Sequence, residues 1–480
     1  MNIQQLKPER VMHYFFEIAS IPHGSKNCSQ ITDYCIKFAK KFSLKYYTDN
    51  AGNVVIYKDA TNGYEGAPTV ILQGHLDMVC QKSDDKNIDF HTTGVEVCVA
   101  DDYLYANGTT LGGDNGIAVA MILSILEDEN IKHPAIEAVF TTDEEIGMIG
   151  AGRLDMSVLN GKLMINIDSE EERTVTVSCA GGSEVSATLP LYLNKKSGYA
   201  VAIHLQGLQG GHSGVEINSG RVNSNVLAGR YLNYLNDILP FDIISINGGD
   251  KGNAITNSTK IEILTENLDE FCEILNEYNK IVCAEICVKE PNFSPIISWD
   301  DKVMEYSVFS SRQKSDIIYL LNCIPNGIQQ MSAEVDGLVE TSLNLGIVST
   351  CMDSVSILST LRSNKVSSLS ALEEKVKLFL SKICCNVKTS GFYPPWEYKS
   401  DSILRNKYIE TFEKMYGFKP KIEAIHAGLE CGVFASKIQD LDCIAIGPDL
   451  FDVHTVNEKL SISSTQRVYN VLLKLLENLK

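Results

Sequence analysis

The sequence contains no apolar run long enough to cross a bilayer. Its most apolar stretch, Ile117 to Leu126, covers about ten residues and ends at an acidic cluster, whereas a transmembrane helix needs roughly 20. The opening residues, MNIQQLKPERVMHYFFEIAS, lack the uninterrupted apolar segment of a signal peptide and predict an amphipathic helix. These absences predict a cytoplasmic protein without a membrane partner.

Positive charge and paired cysteine motifs are scarce as well. Lys and Arg total 42 against 61 Asp and Glu, a formal net charge of −19, so binding to nucleic acid through its phosphates is not expected. The 14 cysteines are spread over 480 residues without a C-x-x-C motif, which argues against a disulfide framework and a thiolate zinc site. We expect reduced thiols, most of them buried.

The length of 480 residues and the 44% hydrophobic content are typical of two or three folded domains, and we expect two. From residue 67, short apolar runs alternate with helical periods, which is typical of a mainly parallel sheet with crossover helices. The expected strands are 68–73, 135–141 and 163–167, and the expected helix is 115–126. Near the other end, strand and helix alternate at 421–425, 428–436, 442–446 and 463–479. We interpret both ends as parts of one α/β domain.

Between these ends, longer polar strands alternate with turns rich in Gly and Asn, and helical periods occur at 221–235 and 369–383. We interpret this part as an inserted α+β domain. The expected division is 1–185 for the first α/β segment, 186–391 for the insert and 392–480 for the second α/β segment. Because the insert is generous in length for one domain, a duplicated unit stays an alternative.

Acidic residues and a histidine follow the predicted strands of the α/β domain. His75 follows the first strand, Glu144 and Glu145 follow the second, Asp168 follows the third, and Asp114 lies in the turn that opens the helix. The carboxyl ends of parallel strands share one edge of a sheet, where sites form. No Lys or Arg lies within these motifs, so a divalent metal is the economical way to neutralise the carboxylates. Imidazole with carboxylate suits Zn²⁺, Co²⁺ or Mn²⁺ better than Ca²⁺.

One carboxylate could bridge two ions roughly 3.5 to 4 Å apart, as in hydrolytic two-metal sites. The second ion then needs an imidazole, and we choose His454 because it follows the last predicted strand of the sheet. Adjacent Glu144 and Glu145 point to different sides of an extended stretch, so one could bind metal while the other handles protons. Asp77 could hold the second nitrogen of His75.

At this point the motifs resemble the M20 metallopeptidases. The resemblance rests on GHLDMV (74–79), GGDNG (112–116), TDEEIGMIGA (142–151), NIDSEE (166–171), GGHSG (210–214) and the late His454. More narrowly, IPHGSKN, GGDKGNAI, TLRSN and HAGLECGVF resemble the aminoacyl-histidine (Xaa-His) dipeptidases. The resemblance covers essentially the whole chain, and each ligand position of the family pattern is present.

The resemblance implies a zinc-exopeptidase-like α/β catalytic domain with an inserted α+β lid. It implies that His75 and Asp168 hold one metal ion, that Glu145 and His454 hold the other, and that Asp114 bridges both. It also implies that the peptide bond between Asp114 and Asn115 is cis. The ions would be two Zn²⁺, with Co²⁺ or Mn²⁺ possible. Asp77 would be a supporting catalytic residue and Glu144 the general base.

The resemblance also implies substrate contacts in the lid. His212 would stabilise the oxyanion, Asn253 and Arg362 would hold the substrate carbonyl and C-terminal carboxylate, and Gly428 would add a main-chain contact from the catalytic domain. Without the resemblance, His212 and Asn253 are typical turn residues and Arg362 a typical surface charge. The lid would also form a homodimer interface.

The implied activity is hydrolysis of dipeptides with a free amino terminus, Xaa-His substrates such as carnosine included. An N-acyl amino acid deacylase or a tripeptidase of the same fold is one alternative, and a non-catalytic metal-binding homologue is another. His426 and Glu430, which flank Gly428, could contact a substrate amine or cap the following helix.

Overall fold

The structure is a computed structural model that describes residues 6–480, and these residues form two compact units. Unit 1 runs to Cys179 and includes Trp396–Ala424 and Leu429–Lys480, whereas unit 2 comprises Ala180–Pro395 and Ile425–Gly428. The first boundary therefore lies before residue 186 and the second after residue 391. The short segment 425–428 belongs with unit 2, which a division into three segments does not anticipate.

Helices and strands are numbered in chain order. The helices are α1 (Glu9–Ala19), α2 (Ser29–Lys41), α3 (Gly113–Glu127), α4 (Ile149–Arg153), α5 (Ser224–Asn236), α6 (Leu268–Ile286), α7 (Ser311–Cys323), α8 (Val366–Leu380), α9 (Ile403–Tyr416), α10 (Glu430–Lys437) and α11 (Ile462–Asn478). The strands are β1 (Lys45–Thr48), β2 (Val54–Lys58), β3 (Val70–His75), β4 (Val97–Ala100), β5 (Tyr103–Ala106), β6 (Ile136–Thr141), β7 (Leu163–Asn166), β8 (Thr174–Cys179), β9 (Gly181–Pro190), β10 (Leu193–Leu205), β11 (Gly211–His212), β12 (Asp242–Gly248), β13 (Ala254–Ile255), β14 (Thr259–Thr265), β15 (Ile296–Trp299), β16 (Met304–Phe309), β17 (Gly327–Met331), β18 (Val339–Thr350), β19 (Ser354–Ser363), β20 (Cys385–Tyr393), β21 (Lys421–Ile425), β22 (Asp442–Ala445), β23 (Leu450–Phe451) and β24 (Lys459–Ser461).

Unit 1 is built on an eight-stranded sheet with the order β1-β2-β6-β3-β7-β22-β8-β21. Its central strands β6, β3, β7 and β22 run parallel, and β3, β6 and β22 are buried at every position. Continuous burial is expected for parallel strands that are covered on both faces. Helix α3 is apolar on all sides and buried from Asn115 to Leu126, as a helix inside a core must be. The α/β prediction is confirmed.

Unit 2 is built on a ten-stranded sheet whose main path is β15-β10-β14-β12-β18-β19-β9-β20. The paired strands along this path are antiparallel, and helices α5 to α8 belong to the same unit. The predicted helical periods correspond to α5 and α8, but α6 and α7 were missed. In α6 the buried Phe271, Leu275, Tyr278 and Val282 recur three or four residues apart. The helical period is therefore present in the sequence, but the charged residues between these positions obscured it.

Two other expectations from the sequence can be compared with the structure. The amphipathic N-terminal helix is α1, with the first five residues outside the described part of the chain. All 14 cysteines are free thiols, but only Cys28, Cys35, Cys179, Cys431 and Cys443 are buried, so the expectation of mostly buried thiols was wrong. Within residues 6–480, none of the helices has the length and apolar character needed to cross a membrane.

Candidate metal centre

The carboxyl ends of the central strands of unit 1 carry the polar residues predicted from the sequence. Strand β3 ends at His75. Glu144 and Glu145 follow β6, and Asp168 follows β7. Asp114 lies in the first turn of α3 with non-helical backbone angles, and the Asp114–Asn115 peptide bond is cis, as the resemblance implied. His454 lies between the short strands β23 and β24, which follow β22 in the chain.

Asp114 lies between two imidazoles. Its Oδ1 is 3.0 Å from Nε2 of His75, and its Oδ2 is 3.1 Å from Nε2 of His454. Nε2 of His454 is also 3.0 Å from Glu145 Oε1, and Nε2 of His75 is 3.6 Å from Asp168 Oδ1. The two oxygens of one carboxylate therefore face two separate imidazole–carboxylate groups.

Asp77 supports this arrangement in a way that differs from the predicted one. The Nδ1–H of His75 donates to the main-chain oxygen of Asp77 at 2.9 Å, whereas the Asp77 carboxylate is 3.5 Å from that nitrogen. The carboxylate instead accepts the main-chain N–H groups of Glu144 and Glu145 and the hydroxyl of Ser25. Asp77 thus orients His75 through its carbonyl and holds the Glu144–Glu145 loop through its carboxylate.

The titration behaviour of the cluster reflects its excess of carboxylates. Burial raises the pKa of Asp168 to about 7, and repulsion from Asp114 and Glu145 adds to the effect. Burial also raises the pKa of Glu144 well above its usual range. Hydrogen bonds to Asp114 and Glu145 raise the pKa of His454 to about 11. The cluster therefore binds positive charge strongly.

The donor set fits divalent metal ions. The ligand atoms of His75, Asp114 and Asp168 all lie within 4.8 Å of one another, and so do those of Asp114, Glu145 and His454. A further group of the same kind consists of His75, Glu144 and Glu145. Because Nδ1 of His75 is engaged by a carbonyl, Nε2 is the nitrogen that faces the carboxylates. Mixed imidazole and carboxylate donors suit Zn²⁺, Co²⁺ and Mn²⁺.

Unit 2 brings His212 and Arg362 together. Nδ1 of His212 accepts the main-chain N–H groups of Gly214 and Val215 at 3.2 Å each, which assigns the ring proton to Nε2. Burial, helped by the charge of Arg362, lowers the pKa of His212 to about 4 and keeps the ring neutral. Nε2 lies 3.4 Å from Nη2 of Arg362. Both atoms are donors, so neither satisfies the other and each can still donate to an oxygen acceptor.

The other predicted residues of unit 2 lie on neighbouring segments. Asn253 directly precedes β13, which pairs with β11 and hence with His212, and the Asn253 carbonyl accepts the N–H of Ser213. Gly428 closes the segment 425–428 and so belongs to unit 2, not to the α/β domain from which its contact was expected. In that segment, His426 is buried and hydrogen-bonds to Ser342 and Asn364. His426 is thus held by unit 2 itself.

Two buried carboxylates were not assigned to the site from the sequence. Glu430 begins α10 and accepts hydrogen bonds from Gln73 at 2.5 Å and Thr141 at 2.6 Å, so its side chain neither caps α10 nor points into open solvent. Glu458 accepts the main-chain N–H groups of residues 111–114. The only sequence signal for Glu458 is its position four residues after His454.

Comparisons with known proteins agree with this picture. Residues 71–478 match the model of peptidase family M20/M25/M40. The chain is 34% identical to the cytosol non-specific dipeptidase of Escherichia coli (strain K12) over 488 aligned positions, which cover 100% of this chain and 99% of that protein.

Solved structures show the same likeness. The aminoacylhistidine dipeptidase of Vibrio alginolyticus matches with a TM-score of 0.90 and 35% identity over 100% of this chain and 98% of that chain. The aminopeptidase PepT of Bacillus cereus matches with a TM-score of 0.58 and 16% identity, covering 99% of each chain, and so shares the fold. The resemblance read from the motifs is confirmed, and the chain belongs to peptidase family M20/M25/M40.

Proposed function

We propose that this chain is a di-metal dipeptidase that hydrolyses dipeptides with a free amino terminus, Xaa-His dipeptides included. The observation that carries the proposal is the position of Asp114, whose two oxygens face His75 and His454 at 3.0 and 3.1 Å. A carboxylate with one oxygen toward each of two imidazole–carboxylate groups is suited to bridge two ions.

In this proposal His75 and Asp168 would hold one ion, Glu145 and His454 would hold the other, and Asp114 would be shared between them. The most suitable ion is Zn²⁺, with Co²⁺ or Mn²⁺ as substitutes. When bound, such ions polarise the substrate carbonyl and make water more acidic.

Glu144 serves as the general base. It adjoins Glu145, and its main chain is fixed by the carboxylate of Asp77 through a 2.9 Å hydrogen bond. Its carboxylate takes a proton from the attacking water and passes it to the nitrogen of the leaving amine as the C–N bond breaks. Asp77 acts by keeping His75 and the Glu144–Glu145 loop in place.

The residues of unit 2 bind the substrate. The Nε2–H of the neutral His212 donates to the carbonyl oxygen as it gains negative charge. The guanidinium of Arg362 pairs with the C-terminal carboxylate, a geometry that planar Arg favours. Asn253 and the main chain of Gly428 complete the contacts.

The substrate class is supported by the names of the two relatives that match over the whole chain, a non-specific dipeptidase and an aminoacylhistidine dipeptidase. A cavity of about 560 Å³ beside Glu145, lined by apolar Met78, Val79, Phe90 and Ile146 among others, offers room for varied side chains. We therefore expect broad specificity at the amino-terminal residue.

We also propose a cytoplasmic homodimer that assembles through unit 2. The relative from Escherichia coli is named a cytosol enzyme. Both β15 and β16 pair with β10, and their Ile296, Trp299 and Met304 are about half exposed, so these strands carry apolar surface that an interface would cover. Light scattering of the purified chain tests the assembly, and a monomeric mass would contradict it.

The decisive experiment is the Glu144→Gln variant. We expect it to bind two equivalents of metal, measured by elemental analysis, while turnover of Ala-His falls by at least about 10²-fold, the range for a lost general base. Wild-type turnover with both ions bound would refute the mechanism.

A substrate panel separates the alternatives. Ala-His, Gly-Leu and β-Ala-His are compared with their N-acetyl forms and with tripeptides, for the chain loaded separately with Zn²⁺, Co²⁺ or Mn²⁺. Preference for blocked substrates would identify a deacylase, preference for tripeptides a tripeptidase, and absence of any hydrolysis a non-catalytic homologue.

A further inference from the structure

The guanidinium of Arg362 is buried, and among residues 6–480 it forms no ion pair with an acidic side chain. The residue is 6% exposed, its Nη1 donates to the hydroxyl of Tyr393 at 2.7 Å, and its Nη2 lies 3.4 Å from His212. Its Nε has no hydrogen-bond partner in the described chain. Burying a charge without a counter-ion is costly, so the arrangement is one that a carboxylate would stabilise.

Tyr393 reaches Arg362 across an intervening strand. In the sheet of unit 2, Arg362 on β19 is paired with Gly182 on β9, and Tyr393 on β20 is paired with the same glycine. Residues opposite one another in antiparallel strands project to the same face. Arg362, Gly182 and Tyr393 therefore form one row on one face, with the glycine in the middle.

Gly182 is what allows this contact. A Cβ built on Gly182 would lie 2.6 Å from both Cζ and the hydroxyl oxygen of Tyr393, and 2.7 Å from Cε1. No side chain fits beneath the ring at these distances. The phenol thus lies directly over the bare backbone of β9, and any larger residue would push it away from Arg362.

A β-bulge in β20 places Tyr393 opposite Gly182. Ser390 pairs with Glu184 and Tyr393 pairs with Gly182, so three steps along β20 match two along β9. A one-residue shift in register moves every side chain to the other face. Without the bulge Phe392, which is 59% exposed and has no hydroxyl, would occupy the position opposite Gly182.

We propose that Tyr393 is a positioning residue that aims the Arg362 guanidinium at the C-terminal carboxylate of the substrate, and that Gly182 is required to admit its ring. The inference rests on the proposed function, in which Arg362 binds that carboxylate. The phenol oxygen accepts Nη1–H and fixes the plane of the fork, so the remaining N–H groups face an incoming carboxylate. Tyr393 thereby contributes to the preference for a free carboxyl end.

The test compares Ala-His with Ala-His amide in Tyr393→Phe. Loss of one hydrogen bond to a charged group predicts a rise of about tenfold in KM for the acid, with kcat little changed and the kcat/KM of the amide within about twofold of wild type. Product histidine as an inhibitor should weaken by a similar factor while histidinamide does not. Phe392→Leu, at the neighbouring position, is the matched control. It should leave the KM for Ala-His, the kcat/KM of the amide and the inhibition by histidine unchanged.

Arg362→Ala separates failure of the inference from failure of its premise. In that background Tyr393→Phe should have no further effect, because the two residues act as one unit. If Arg362→Ala leaves the acid-to-amide ratio at its wild-type value, the carboxylate assignment itself fails. If Arg362→Ala removes the preference but Tyr393→Phe keeps it, the assignment stands and the role of Tyr393 is refuted. Gly182→Ala, checked for folding by circular dichroism, should reproduce the Tyr393→Phe phenotype.

Discussion

Glu458 should control both the stability of unit 1 and its affinity for metal. Its carboxylate is 2% exposed and accepts the N–H groups of Leu111 and Gly113 at 2.8 Å, of Gly112 at 3.2 Å and of Asp114 at 3.4 Å. One side chain therefore satisfies the turn that presents Asp114, and it lies on the loop that also carries His454. Glu458→Ala would leave these donors without their acceptor.

The expected magnitude follows from these distances. The two bonds at 2.8 Å to a charged acceptor are worth about 1.5–3 kcal/mol each, and the longer two add little. Burial of Glu458 opposes them, since it raises the pKa of the carboxyl group. We expect Glu458→Ala to lower the free energy of unfolding by about 2–4 kcal/mol. Looser support of Asp114 should weaken metal binding by about 10- to 100-fold.

Urea denaturation of the metal-free protein measures the first effect, and titration with Zn²⁺ against a chelating indicator measures the second. Asp102→Asn is the matched control, because Asp102 accepts the N–H and hydroxyl of Ser463 at the start of α11 without touching the Asp114 turn. It should lower stability and leave metal affinity at the wild-type value. Wild-type affinity in Glu458→Ala, or an equal loss in both variants, would refute the reasoning.

Three further outcomes are expected. Burial, with repulsion from Arg362, lowers the pKa of His426 from 6.5 to about 3. Between these two pH values only the unfolded state takes up the proton, so stability falls by about 1.4 kcal/mol for each unit of falling pH. Urea denaturation should show a shallower fall in His426→Gln but not in the exposed His13→Gln. Chelation should lower the thermal midpoint, since an ion at a hundredfold excess over its Kd stabilises by about 2.7 kcal/mol; an unchanged midpoint would argue against resident metal. Gly74→Ala places a Cβ 2.6 Å from the Asn115 amide oxygen and should cost about 1–3 kcal/mol by denaturation, whereas Gly152→Ala, with no atom within 4 Å, should be neutral or stabilising.

The part of the site that follows strand ends could be predicted from the sequence. His75, Glu144 and Asp168 each come directly after an apolar run, and parallel strands bring such positions to one edge. The structure gathers them there, together with Asp114 and His454. The order of residues along the chain was sufficient to place these side chains, because the position of each one is set by the strand that it follows.

Supports that span long sequence separations could not be predicted. Gly113 and Glu458 are 345 residues apart, and a hydrogen bond from a side chain to the main chain leaves no periodic pattern. Tyr393 was missed for a related reason: its place opposite Gly182 depends on a bulge, and apolar–polar alternation cannot locate an extra residue in an exposed strand. The return of residues 425–428 to unit 2 could not be predicted either, because four residues are too few to show a change in the pattern of apolar and polar residues.

Two kinds of carboxylate meet around the candidate metal centre, and they differ in what their oxygens face. Those of Asp77 and Glu458 accept main-chain N–H groups, from the Glu144–Glu145 loop and the Asp114 turn respectively. Those of Asp114 and Glu145 face imidazoles and other carboxylates. The first kind is neutralised by the fold and fixes the loops, so the second kind can be held close together despite its repulsion. The carboxylates of Asp77 and Glu458 thus hold loops in place, whereas those of Asp114 and Glu145 are candidate metal ligands. Only the candidate ligands require a cation.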